Sequence, residues 1–176
     1  MSNFKLTLSQ GKTGETEIAN WLMNRGSHIL PIYEIAENQF KGPSLYASDG
    51  SDVIAPDMLV FSNGVIRFIE AKHKNAFSWY RTKGIWTTGI DKKHFYEYIK
   101  IRELLDIPVW ILFLHRGGTA KDSPPSPAGL YGNDIDILRN CIDHESDKHG
   151  LYGMVYWNKD SLKYLADYPL SLEQAA

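Results

Sequence analysis

Asp57, Glu70 and Lys72 are the residues of this 176-residue chain whose types and spacing could do chemistry together. Pro56-Asp57 is followed by twelve residues and then by Glu70-Ala71-Lys72. Two carboxylates and an ammonium gathered at one point could hold a hard divalent cation and offset charge on a phosphoryl oxygen. That chemistry is metal-assisted hydrolysis of a phosphodiester, and it requires an element that brings the three side chains to one face.

The intervening sequence supplies that element. Both residues of Asn63-Gly64 tolerate positive φ, which suits the tight type I′ turn between antiparallel strands. With that pair as the turn, Ser62 faces Val65, Phe61 faces Ile66 and Leu59 faces Phe68. Asp57 then falls opposite Glu70. Side chains alternate with period two, so Leu59, Phe61, Ile66 and Phe68 share a face with Asp57, Glu70 and Lys72. Opposed carboxylates have Cβ atoms ~5 Å apart and repel one another. A bound Mg²⁺ or Mn²⁺ would remove the repulsion, since both prefer oxygen ligands and leave positions for water and phosphate. The alternative is that Asp57 caps a turn while Glu70 and Lys72 end a solvated strand.

Composition fits one globular domain with a sizeable core: 43% of residues are hydrophobic and 23% charged. The single cysteine, Cys141, excludes an internal disulfide framework and reads as a small buried residue rather than a nucleophile. A reducing cytoplasm is the expected compartment. No charged-then-apolar leader and no bilayer-length apolar run is present, so neither secretion nor membrane spanning is expected. Net charge is −2, but it is unevenly spread. Residues 67–102 carry nine basic and three acidic side chains, and residues 117–176 carry five basic and nine acidic ones. A basic middle beside an acidic tail predicts a localised phosphate-binding face.

The remaining elements follow from pattern. Residues 14–25 read as a helix with Ile18, Trp21 and Leu22 on one side and Gly26 as its terminator. Residues 29–35 read as a strand, 37–52 as a polar loop, 73–91 as an irregular aromatic and basic stretch, and 92–105 as a helix closed by Asp106-Ile107-Pro108. Residues 109–114 form a continuous apolar run, the mark of a buried strand. Residues 117–132, with Ser123-Pro124-Pro125-Ser126-Pro127, read as a loop. Residues 154–157 read as a strand and 159–166 as a helix starting near Asn158 or Asp160. These elements predict an α+β fold with a central mixed β-sheet flanked by helices.

With these residues placed, the chain resembles the PD-(D/E)xK nuclease superfamily, and within it is most similar to the archaeal-type Holliday junction resolvases. The resemblance rests on Gly11-Lys-Thr-Gly-Glu15 and Gly26 around the first helix, and on Asp57, Leu59-Val60-Phe61, Asn63-Gly64 and Val65 to Lys72 in the hairpin. It covers residues 10–116. His94 stands nearest to where many relatives carry glutamine, and the last sixty residues have no counterpart in a minimal resolvase. The resemblance implies a restriction-endonuclease-like core over 1–116 with a small α+β extension, 117–176, packed on it. It implies an Mg-dependent endodeoxyribonuclease, with Asp57, Glu70 and the Ala71 carbonyl as metal ligands and Glu15 completing the set directly or through water. Lys72 would orient the attacking water and offset phosphorane charge. Glu17 is the local competitor of Glu15. Resolution of a junction makes two symmetric cuts and so implies a twofold dimer.

The basic residues after the motif, Lys74, Arg81, Lys83, Lys92 and Lys93, together with His94, are the candidate DNA contacts. Phe77, Trp79, Tyr80 and Trp86 are interleaved with them and could stack bases or belong to the core. His144, Glu145, Asp147 and His149 match no closed zinc spacing and read as a solvated turn. Restriction, repair or RNA cleavage on the same fold, and a non-catalytic nucleic-acid-binding module, are the competing functions.

Overall fold

The computed structural model describes residues 13–32, 44–119, 123–150 and 152–170. Helix α1 (Thr13–Met23) buries Ile18, Ala19 and Trp21 and ends in a turn at Gly26, whose φ is +80°. Strand β1 (His28–Pro31) follows, and residues 33–35 of the expected strand lie outside the described residues.

The predicted hairpin is formed by β4 (Met58–Ser62) and β5 (Val65–Lys74), after β2 (Ser44–Tyr46) and β3 (Asp52–Ile54). Asn63 and Gly64 have φ of 49° and 74°, as a type I′ turn demands. The register pairs Ser62 with Val65, Phe61 with Ile66 and Leu59 with Phe68, and ends at Met58 with Ile69. Asp57 is thus one step beyond the ladder, across from Glu70.

Two strands, β6 (Ser78–Tyr80) and β7 (Ile85–Asp91), lead into α2 (Lys92–Leu105), which carries the chain to β8 (Val109–Arg116), parallel to β5. Helix α2 buries Phe95, Tyr98 and Ile101 on one face. It stops at Asp106, whose φ of 52° is left-handed and whose N–H returns to the Arg102 carbonyl. Then come β9 (Ala128–Asp134), α3 (Ile135–Leu138), β10 (His144–Ser146), β11 (Met154–Asn158), one 3₁₀ turn (Lys159–Ser161) and β12 (Lys163–Ala166).

The central sheet has the order β1-β4-β5-β8-β9-β12, mixed because only β5 and β8 run parallel. Alternation along β5 and β8 divides the core. Ile69, Ala71, Leu112 and Leu114 face α1, while Phe68, Ile111 and Phe113 pack with Phe95, Tyr98 and Ile101 of α2. Each fully buried aliphatic or aromatic side chain contributes roughly 1.5–3 kcal/mol, so both helices are fastened by their apolar faces. A second sheet, β10-β11-β7-β6, packs on the α2 side through Ile90, Val155 and Trp157.

Five expectations are corrected. The loop over 37–52 contains β2 and leads to β3, a ribbon closed by a turn in which Asp49 accepts from Ser51 N–H, with Val53 buried beside α2. The irregular stretch over 73–91 is the end of β5 followed by a hairpin, held by the cross-strand pair Trp79 and Trp86. The proline-rich loop stops at Pro127, and Ala128 to Gly132 pair with β8. The helix expected over 159–166 is a single turn capped by Asn158, then strand β12, because pairing with β9 outweighs local helix propensity. His144, Glu145 and the following residue form strand β10, not a turn.

Candidate active site

Asp57 is pinned through two groups. Its carbonyl accepts from Ile32 N–H at 2.9 Å, and its carboxylate Oδ2 accepts from Ala71 N–H at 2.8 Å. The second bond continues the hairpin ladder with a side chain in place of a carbonyl. It places the Asp57 carboxylate beside the Glu70-Ala71-Lys72 backbone.

Glu70 is 1% exposed in the middle of β5. One carboxylate oxygen, Oε1, is ion-paired with Lys72 Nζ, and the other, Oε2, is buried with no hydrogen-bond partner. Burial pulls the Lys72 ammonium toward neutrality, but Glu70, Asp57 and Glu15 together outweigh it and hold its pKa above the ordinary lysine range. Those charges show that the four predicted residues share one locus. Glu15 reaches it from the first turn of α1, whereas Glu17 is turned toward Arg116, 3.9 Å away, and His73.

Two further residues border the locus. Tyr98 of α2 is buried beside Glu70; burial, then the Glu70 and Asp57 carboxylates, raise its pKa well above the usual value. Its position four residues after His94, on one helix face, was the available signal. The His94 imidazole is held below the ordinary range by burial and then by Lys72, while Asp91 and Asp57 oppose the shift. Asp91 occupies the N-cap position of α2 but caps nothing, and its buried Oδ1 has no hydrogen-bond partner.

The basic candidates separate into groups. Lys74 lies beside the site, its pKa lowered by burial and Lys72 and opposed by Asp91. Lys93 is exposed and lies over the Tyr152 ring at 5.3 Å. Arg81 is exposed in the β6–β7 turn. Lys83 and Lys92 are drawn to acids of the second sheet: Lys83 to Asp143 at 2.9 Å, and Lys92 to Glu145 at 2.7 Å and Asp147 at 2.6 Å. Phe77 is core, stacked on buried His115, and Tyr80 stacks on His144.

The donor set fits a hard divalent cation. Buried polar atoms in folded proteins are nearly always satisfied, so the unpartnered Glu70 Oε2 beside a second carboxylate is a position calling for positive charge. Among the described residues no group of three or more His, Cys, Asp or Glu side chains forms a ready cation cage.

The course of α1, β1, β4, β5, α2 and β8 defines an α+β fold with a central mixed sheet flanked by helices. No family model matches the chain. No curated protein matches it either. Among solved structures it is similar to Hjc of Archaeoglobus fulgidus, a Holliday junction resolvase, with a TM-score of 0.49 and 9% sequence identity over 93% of this chain and 95% of that one. None of the described helices is long and apolar enough to cross a membrane.

Proposed function

We propose that this chain is a Mg²⁺- or Mn²⁺-dependent endonuclease that hydrolyses DNA phosphodiesters, with branched DNA as its leading substrate. The observation that carries the reading is the buried, half-satisfied Glu70 carboxylate set between Lys72 and the Asp57-bonded Ala71 N–H. Branched DNA ranks first because the helix-and-hairpin sequence resembles that of archaeal junction resolvases, and such a substrate calls for a twofold dimer.

Asp57, Glu70, the Ala71 carbonyl and Glu15 would hold the cation. When bound, it would polarise the phosphoryl oxygen and lower the pKa of a coordinated water. The hairpin register, which sets Asp57 across from Glu70, and the bond from Ala71 N–H to the Asp57 carboxylate support this ligand pair. Lys72, held protonated by the surrounding carboxylates, offsets charge on the phosphorane and aligns a non-bridging oxygen. Tyr98 is buried beside the Glu70 carboxylate. Lys74, Lys93, Arg81 and His94 would meet the nucleic-acid backbone around the site.

The test is purified protein with Mg²⁺ or Mn²⁺ on junction, flap, duplex, single-stranded and RNA substrates, beside Asp57→Asn and Lys72→Ala. The expected result is metal-dependent cleavage, strongest on the junction and lost in both variants with DNA binding retained. Full cleavage by both variants would refute the site. A parent that binds DNA and cuts nothing would leave a binding module.

A further inference from the structure

Lys83 and Lys92 bear on the nucleic-acid part of the preceding reading, on which this inference rests. Strand β10 is an edge of the second sheet, and it and its two flanking residues carry acids at every second position: Asp143, Glu145 and Asp147. Alternate residues of an extended chain lie on one side, roughly 6.6 Å apart, which sets Asp143 and Glu145, while Asp147 opens the turn that follows β10. That spacing is close to the distance between successive phosphates of an extended nucleic-acid strand.

Each acid meets a polar group of the basic middle segment. Asp143 takes Lys83, Glu145 takes Lys92 and accepts from the Tyr96 hydroxyl at 2.9 Å, and Asp147 takes Lys92. Lys92 and Tyr96, four residues apart in α2, share the helix face that meets these acids. In these pairs Lys83 is 46% exposed against Asp143 at 14%, and Lys92 is 19% exposed against Glu145 at 35% and Asp147 at 88%. Each pair keeps one member at least a third exposed to solvent, so salt and incoming phosphates reach it and can displace the acid.

We propose that Lys83, Lys92 and Tyr96 form a phosphate-tracking surface, and that Asp143, Glu145 and Asp147 cover it in cis as a mimic of a nucleic-acid strand. An incoming strand displaces the acids and takes their cations. The acidic segment thereby lowers affinity for nucleic acid and admits only strands that offer phosphates at matching intervals.

The experiment measures binding of a fluorescent single-stranded oligonucleotide by anisotropy, in chelator, across a salt series. The variant Asp143→Asn/Glu145→Gln/Asp147→Asn is expected to bind on the order of tenfold tighter at low salt. Its plot of log affinity against log salt should steepen by roughly 1.4, the value for two freed lysines on a single strand. The variant Glu103→Gln/Asp106→Asn/Asp160→Asn makes the same change in charge elsewhere and should bind like the parent. Adding Lys83→Ala and Lys92→Ala to the first variant should abolish its gain.

Equal affinity of the two charge-matched variants would overturn the proposal, as would a gain that survives loss of the lysines. Should the triple variant not fold, Glu145→Gln alone, which removes one of the two carboxylate charges on Lys92 and leaves Asp147 in place, must show a smaller gain in the same direction. Cleavage is scored separately. A parent that cuts DNA while the triple variant gains nothing overturns this inference alone, and binding without cutting overturns only the nuclease reading. No binding by any variant overturns both.

Discussion

Gly14 of α1 lies so close to β5 that a Cβ at residue 14 would stand 2.3 Å from the Cβ of His73. Glu15 is the next residue along the helix and Lys72 the preceding residue on the strand, so this contact sets how far the third acid stands from the motif. Alanine in a helix interior ordinarily gains about 1 kcal/mol over glycine. Here the neighbour is the root of a side chain on a central strand, which cannot swing aside. Gly14→Ala is therefore expected to destabilise the protein by about 1–3 kcal/mol, as overpacked core sites do, and to lower cleavage by moving Glu15. Denaturant titration beside a cleavage assay measures both, and a stabilised, fully active variant would refute the contact.

Asp57→Asn keeps an oxygen that can accept from Ala71 N–H and removes the charge. The hairpin is expected to survive, with stability within about 1 kcal/mol of the parent, while cleavage falls by a factor on the order of 100 or more. Circular dichroism melts and single-turnover rates separate the two effects. A variant that unfolds would show that the carboxylate's charge holds the strand.

Tyr98→Phe removes the hydroxyl beside Glu70 while conserving the ring in the α2 core. Hydrogen bonds to charged groups contribute about 1.5–3 kcal/mol, so a loss of that size is expected. Glu70 would also be freed to reorient, weakening Mn²⁺ binding in calorimetry. Unchanged Mn²⁺ affinity would reduce Tyr98 to a packing role.

His115 is 0% exposed, stacked on Phe77 with ring centroids 3.5 Å apart, and its imidazole is pushed down to about 3 by burial and then by Lys74. The unfolded value is about 6.5. Below that pH the unfolded chain takes up a proton that the folded chain refuses. The contribution is thus intact above pH 6.5 and is lost as pH falls toward 3, at about 1.4 kcal/mol per pH unit. His115→Phe should flatten the stability–pH curve of the parent over this window. Parallel curves for the two proteins would contradict the burial argument.

The sequence by itself determined the elements whose causes are local. Asn63-Gly64 fixed the turn, period-two alternation put Asp57, Glu70 and Lys72 on one face, and the apolar spacing of α2 with its stop at Asp106 gave its limits. The same evidence missed β6, β7 and β12. Short strands draw their stability from partners distant in the chain, and Lys163 to Ala166 carries no pattern that separates a strand beside β9 from a helix. Tyr98 beside Glu70, the unpartnered Glu70 Oε2 and the acids over Lys83 and Lys92 were decided by tertiary structure alone. Burial and ion pairing are relations between segments, and a count of charges along the chain cannot say which acid will be folded onto which base.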